Sequence, residues 1–352
     1  MMKIKLLTTF VFATIFSLQL VAQDPQFSQF YASPMQLNPA MTGVFPGQWR
    51  AVANYRQQWN SILNTRPFRT ISASFDAKVP VGRGDFFSFG MTTLRDEAGI
   101  ADYNRTSVDL SLSFMKQLGG SRYRGADQFL VGGVQVGFGQ HNISPEKLWF
   151  SNQFNTTTEE IDQSINSGEN IESSSDLFLN VNAGLLWYAV FDDNQSLYVG
   201  GAIHHVNQPE VSFLANSSEG TLESKYTVHL GGEIPFNSRL SILPAVAVVS
   251  QGPSLISLYG ANFRLTNRDW KEIAIRAGAW GHLVKDVEGS IASPAVTFTT
   301  ILEIERWNIG LSYDLAANQL APPTNGRGAF EVSLIYYQKS AGRKYRVECP
   351  KM

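Results

Sequence analysis

The side chains able to do chemistry are few, and their spacing argues against an active site. The chain of 352 residues holds five histidines and one cysteine. His204 and His205 are adjacent in an alternating segment. Neighbours on a strand point to opposite faces, so this pair is not expected to chelate one metal ion. The single Cys349 excludes an internal disulfide framework and a cysteine-based zinc module. Asp192 and Asp193 occupy a short turn, where aspartate is common for conformational reasons. The sequence has no Gly-Lys-Ser/Thr phosphate loop, Gly-x-Ser-x-Gly elbow or His-Glu-x-x-His pair. The acidic run Glu159, Glu160, Asp162, Glu169 and Glu172 lacks EF-hand spacing. No enzyme activity, cofactor or metal site is therefore expected. The remaining candidates are charges. Arg50, Arg56, Arg264 and Arg276 fall on the same side of their segments as Asp109, Glu272, Asp314 and Glu331. Unpaired charges buried in a narrow space are costly, so these should form ion pairs. Arg56, Arg276, Asp314 and Glu331 are the expected members of such a network, with an arginine on a neighbouring strand as the partner of the acids.

The elements that must carry these charges are strands. Ser107 to Phe114 places Val108, Leu110, Leu112 and Phe114 on one face and Ser107, Asp109, Ser111 and Ser113 on the other. The same period of two recurs around Trp49–Tyr55, Ile71–Ala77, Trp307–Leu315 and Phe330–Tyr336. About fourteen such segments centre near Ala53, Ala73, Phe89, Leu110, Val134, Ala183, Gly201, Val228, Val246, Tyr259, Ile275, Thr300, Leu311 and Leu334. A membrane-spanning strand needs about 9–11 residues, and an even strand number is the rule for bacterial barrels. The reading is an all-β, antiparallel transmembrane outer-membrane barrel. Charged residues are only 16% against a usual share of about 25%, which fits a partly apolar exterior. The net charge of −2 gives no support to nucleic-acid binding.

Connection lengths test this topology independently. If the first strand rises from the periplasm, the turns at Asp192–Asn194, Phe236–Ser238, Thr266–Asp269 and Glu305 are periplasmic. The long linkers, Gln140 to Asp176 above all, then fall outside the cell. Trp49, Trp59, Phe191, Trp270, Trp307, Tyr336 and Tyr337 are expected in interfacial girdles. Pro244 is a blemish, since it cannot donate to a ladder and implies a bulge or a misplaced strand. Residues 1–22 read as a secretory signal, with Lys3 and Lys5 before an apolar run that ends at Ala22. Residues 23–47 form an N-terminal periplasmic or plug segment, and 48–338 the barrel with its large extracellular loop 140–176. Residues 339–352 form a basic periplasmic tail.

Several blocks, in order, resemble one family. They are QDPQFSQFYASPMQLNPAMTG from Gln23, SQGPSLISLYGANFRL from Ser250, WNIGLSYDLAANQL from Trp307 and GAFEVSLIYYQK from Gly328. The chain resembles the PorP/SprF outer-membrane proteins of the type IX secretion and gliding systems of Bacteroidetes. The likeness spans nearly the whole chain after the signal. It implies a non-enzymatic barrel that helps to secrete a large adhesin or to hold it at the cell surface. The implied partners are the adhesin or its C-terminal signal domain, periplasmic or lipoprotein components of the machinery, and outer-membrane lipid. Machinery subunit and dedicated adhesin partner both remain open. Two rivals are a passive channel of the fatty-acid-channel type for small or hydrophobic solutes, and a soluble extracellular β-sandwich.

Three sites follow from the sequence. Phe27, Phe30, Tyr31, Asn38 and Pro39 lie in a segment too apolar for a linker, so it is expected to plug the periplasmic mouth or the lumen. Trp149 and Phe150 form an apolar knot in the longest loop and are expected to anchor the adhesin. Cys349, in the basic tail, is expected to be available to a periplasmic partner, since that compartment is oxidising.

Overall fold

The computed structural model describes residues 23–63, 66–82, 84–119, 126–192, 194–214, 220–267, 273–285, 289–317, 321–338 and 349–351. The signal segment, Trp270, Glu272 and the basic tail up to residue 348 lie outside the described residues. Alternation of apolar and polar residues yields fourteen long strands among those described. They are β1 (Trp49–Gln58), β2 (Phe68–Val81), β3 (Asp85–Ala98), β4 (Tyr103–Gly119), β5 (Asp127–Asn142), β6 (Phe178–Asp192) and β7 (Gln195–His204). The series continues with β8 (Lys225–Pro235), β9 (Leu240–Gln251), β10 (Ser254–Thr266), β11 (Ile273–Lys285), β12 (Ala295–Ile304), β13 (Trp307–Ala316) and β14 (Arg327–Gln338). Each pairs antiparallel with its neighbours in the chain, and β1 closes on β14 from Trp49↔Gln338 to Gln58↔Ala329. All fourteen expected centres fall inside their strands.

The two faces differ as the alternation requires. On β4, Leu110 is 63% exposed while Ser111 is 1% exposed. Large apolar side chains such as Phe89, Leu112, Val134, Leu185, Val228, Phe298 and Leu311 stand outward around the cylinder. An apolar surface this extensive is tolerated only where lipid, not water, is the solvent. Closure satisfies every strand edge, which the hydrocarbon core demands. A soluble sandwich would turn its apolar face inward, so that rival fails.

Connections at one rim are short, as at 82–84, 236–239 and 305–306; the opposite rim carries the loops 59–67, 143–177, 205–224 and 317–326. Two tight turns, 99–102 and 252–253, also sit at the long-loop rim. Trp49, Tyr336 and Trp307 pack in sequence across the β1–β14–β13 seam at the short-turn rim, tilted and then edge-on, with ring centroids 5.0 and 4.7 Å apart. Tyr337 does not join them. One residue further along β14 it points inward, 6.3 Å from the Phe45 ring.

Pro244 produces neither a bulge nor a misplaced strand. The β8–β9 register is the same on both sides of it, at Gly231↔Ala245 and Ile234↔Ile242, with the ladder interrupted between. The missing N–H removes bonds to one neighbour, while pairing to β10 runs on through Pro244↔Ala261.

Residues 23–46 do not form part of the wall. They cross the lumen from the long-loop rim to the start of β1, with single helical turns at Phe30–Ala32, Pro34–Leu37 and Pro39–Met41. Phe27, Phe30, Tyr31, Asn38 and Pro39 are all buried.

Candidate functional site

The lumen and the segment inside it are the site. At the long-loop rim Asp24 meets a cradle from four parts of the wall. Arg105 of β4 pairs with Oδ1, Lys225 Nζ of β8 lies 2.7 Å from Oδ2, and His205 Nε2, just past β7, lies 2.8 Å from Oδ2. Gln251 of β9 accepts from the Asp24 backbone N–H at 2.8 Å. Burial alone would push the Asp24 carboxyl up; Arg105, Lys225 and His205 together hold it well below its ordinary value of 3.8. His204 and His205 do not point to opposite faces: both are buried, with ring centroids 6.5 Å apart. The strand ends at His204, and His205 takes a left-handed φ of 55°, which breaks the alternation.

A second station lies deeper. Glu331 of β14 accepts from the backbone N–H groups of Ser28 and Gln29, both at 2.9 Å. Asp314 of β13 accepts from Ser28 Oγ at 2.9 Å. Arg56 of β1 bridges the two carboxylates, at 2.8 Å to Asp314 and 3.0 Å to Glu331. The structure thus brings Arg56, Asp314 and Glu331 together and turns their acidic side to the plug. Arg276 is not in this group. It pairs with Glu303 of β12, which also holds Arg264 at 2.9 Å, near the short-turn rim. The sequence reading missed Glu303, and Glu272 lies outside the described residues.

The third station is built on shape. Asn38 caps the Pro39–Met41 turn by accepting from Ala40 N–H at 2.8 Å, and Pro39 supplies a preset first helical position. The Asn38 amide donates to the Leu185 carbonyl at 3.0 Å. Gly133 and Gly184 face this turn. A Cβ on Gly133 would sit 2.5 Å from the Ala40 nitrogen, and one on Gly184 would collide with the Asn38 side chain. Glycine is needed here because plug backbone touches wall backbone. Below the turn, Ala40, Met41 and Val44 pack with Phe86, Met115, Val131, Leu186 and Tyr188 in an apolar cluster inside the barrel. Arg50 clamps Asp76 at 2.9 and 2.8 Å, and Asp76 accepts from Gly43 N–H at 2.8 Å.

Cys349 lies in that same cluster and is buried, with its sulfur 3.8 Å from Lys78 Nζ and 3.9 Å from the Tyr188 hydroxyl. This corrects the expectation of an available thiol: disulfide exchange requires an approach that surrounding side chains block. Lys351 reaches Glu233 at 3.3 Å.

At the long-loop rim, loop 143–177 is braced. Glu172 N–H donates to the Phe213 carbonyl at 2.8 Å in the neighbouring loop, and Lys147 and Arg66 both pair with Asp102. Trp149 is 47% exposed, with Phe154 at 6.1 Å and Ile161 directly opposite Phe154 on a two-residue ladder. Phe150 is half-buried, so Phe154 and Ile161 rather than Phe150 extend the exposed patch. Among the described residues no cluster of three or more metal-ligating side chains occurs.

A closed cylinder with lipid-facing apolar walls and an internal segment defines an outer-membrane β-barrel protein. The chain belongs to the PorP/SprF family of type IX secretion system membrane proteins, whose family model matches residues 20–336. Among solved structures it is similar to the deltaS2S3 mutant of the TodX monoaromatic hydrocarbon channel, with 11% identity, TM-score 0.50, and coverage of 86% of this chain and 92% of that one. It also matches CdiB from Acinetobacter baumannii, at 6% identity and TM-score 0.45 over 82% of this chain and 60% of that one. BamA from Haemophilus ducreyi lacking POTRA domains 1–3 matches at 9% identity and TM-score 0.42, over 82% and 70%. At such identities the likeness to TodX concerns the fold alone. No curated protein matches the chain.

Proposed function

We propose that this barrel is a non-enzymatic component of the type IX system that assists the secretion or surface attachment of a large adhesin. In this reading the signal segment 1–22 is cleaved, the short turns face the periplasm and loop 143–177 faces outward. Adhesin or its C-terminal signal domain docks on Trp149, Phe154 and Ile161. Periplasmic or lipoprotein components meet the short-turn rim. The observation that carries the reading is an aromatic patch left exposed on a loop that is otherwise pinned to its neighbours. Exposed aromatic anchors on rigid supports are typical of binding sites. Residues 23–46 act as a plug that keeps the lumen shut at rest.

Deleting residues 149–168 tests the reading. Surface adhesin should fall severalfold while barrel abundance and heat resistance stay normal; unchanged display would reject it. Uptake of small hydrophobic solutes that survives this deletion, with display also intact, would favour the passive channel.

A further inference from the structure

The cradle around Asp24 is supplied entirely by the wall, whereas the carboxylate it holds comes from a segment that is not. Arg105, His205, Lys225 and Gln251 come from β4, the turn after β7, β8 and β9, and converge on one group whose side chain is 6% exposed. Asn180 of β6 bonds His205 Nδ1 at 2.7 Å and so aims Nε2 at the carboxylate. The backbone of His205 is left-handed, a conformation that a non-glycine residue adopts only at a cost. Such a backbone persists only when its surroundings hold it in place. A cavity of about 90 Å³ lies against the cradle, bounded on the plug side by Asp24 and Phe27 and on the wall side by Asp109 and Lys225. It has room for a few waters beside the carboxylate.

From this geometry we infer that the wall carries a carboxylate-binding site in the upper lumen. Asp24 fills it in cis, and an aspartate or glutamate of an acidic polypeptide entering at the long-loop rim fills it in trans. Two cationic side chains, an imidazole and an amide specify a carboxylate: the planar acid takes Arg105 on one oxygen and Lys225 with His205 on the other. Exchange releases the outer end of the plug while its inner end stays seated on Gly133 and Gly184. The inference uses the position of the plug and is independent of the adhesin reading.

The test uses the full-length chain in detergent. Asp24→Ala keeps the four wall groups and removes their ligand; Asp24→Asn removes the charge but leaves an amide of nearly the same size in the cradle. Both should lose heat resistance. Chymotrypsin should cut them at Phe27, Phe30 or Tyr31 at least about tenfold faster than the parent. Trypsin cannot report this, because residues 23–49 contain no lysine or arginine. Sodium acetate, titrated against sodium chloride at constant ionic strength, should raise the thermal midpoint of Asp24→Ala saturably and that of Asp24→Asn less. It should not do so in the parent or in Asp24→Ala combined with Arg105→Ala. A peptide spanning residues 23–26 should act at lower concentration than acetate, and its Asn version should not act. Equal responses to acetate and chloride in both variants, or an acetate response that survives the loss of Arg105, would overturn the site. Parent-like resistance to chymotrypsin in both variants would overturn the latch. Neither result depends on adhesin display, so this inference and the secretion reading can fail separately.

Discussion

The two ends of the plug are held by different physics. From Asp24 to Gln29 the contacts are charges and hydrogen bonds to Arg105, Lys225, Asp314 and Glu331. From Asn38 to Phe45 close packing is added to such bonds: a capped turn sits on Gly133 and Gly184 and apolar side chains pack with Phe86, Met115 and Leu186, while Arg50, Ser113 and Asp76 bond the backbone of Met41, Thr42 and Gly43. Ionic contacts can be replaced by other charged groups at little net cost. Close packing admits only the segment that fits. The outer end is therefore the exchangeable one and the inner end the fixed one.

Three perturbations sharpen or break that contrast. The largest effect is expected from Arg56→Ala, which leaves Asp314 and Glu331 buried together without their cation. Removing one partner of a buried pair costs about 3–5 kcal/mol, and denaturant unfolding in detergent should show a loss of that order. Stability within about 0.5 kcal/mol of the parent would mean that water or another cation serves these acids. A smaller loss, about 1–3 kcal/mol, is expected from Gly133→Val, whose side chain must push Pro39 and Ala40 off the wall. This variant should also expose the inner half of the plug to chymotrypsin at Leu37 or Met41, since the Phe45–Pro46 bond resists that enzyme, whereas Asp24 variants expose only the outer half. Cleavage of both halves in either variant would show that the ends are not independent.

The smallest effect is expected from pH. Asp24 has a depressed carboxyl pKa, so its contribution is fully present above the ordinary value of 3.8 and is lost only as pH falls through the lower native value. Arg105, Lys225 and His205 face it. Chymotrypsin resistance corrected for enzyme activity should be flat between about pH 8 and pH 5. A step within that window would assign the latch to His205 instead.

The wall was legible because alternation is local. Each segment states its two faces within ten residues or so, and fourteen centres could be placed one by one. Closure was also accessible, since Asp314 and Glu331 share strand faces with Arg56 and become its neighbours once β1 meets β14. The lumen was less legible. That Arg276 chooses Glu303 depends on the register of β11 against β12, which alternation leaves undetermined. Asp24 meets Lys225 and Gln251 far along the chain, and nothing near Asp24 announces them. The two histidines misled for a definable reason: the period of two holds only while the strand lasts, and β7 stops between them. Cys349 likewise follows a stretch whose path alternation does not describe.

One detail of the chain's route has a mechanical corollary. The segment is stitched to the cylinder at Trp49, on the side of the tight turns, while its beginning sits at the far opening. A cord fastened that way empties the bore only by slipping back past its own knot. If residues 23–46 serve as the plug proposed above, a tug from the tight-turn side would clear the lumen, whereas an outward pull would leave the cord stretched through it.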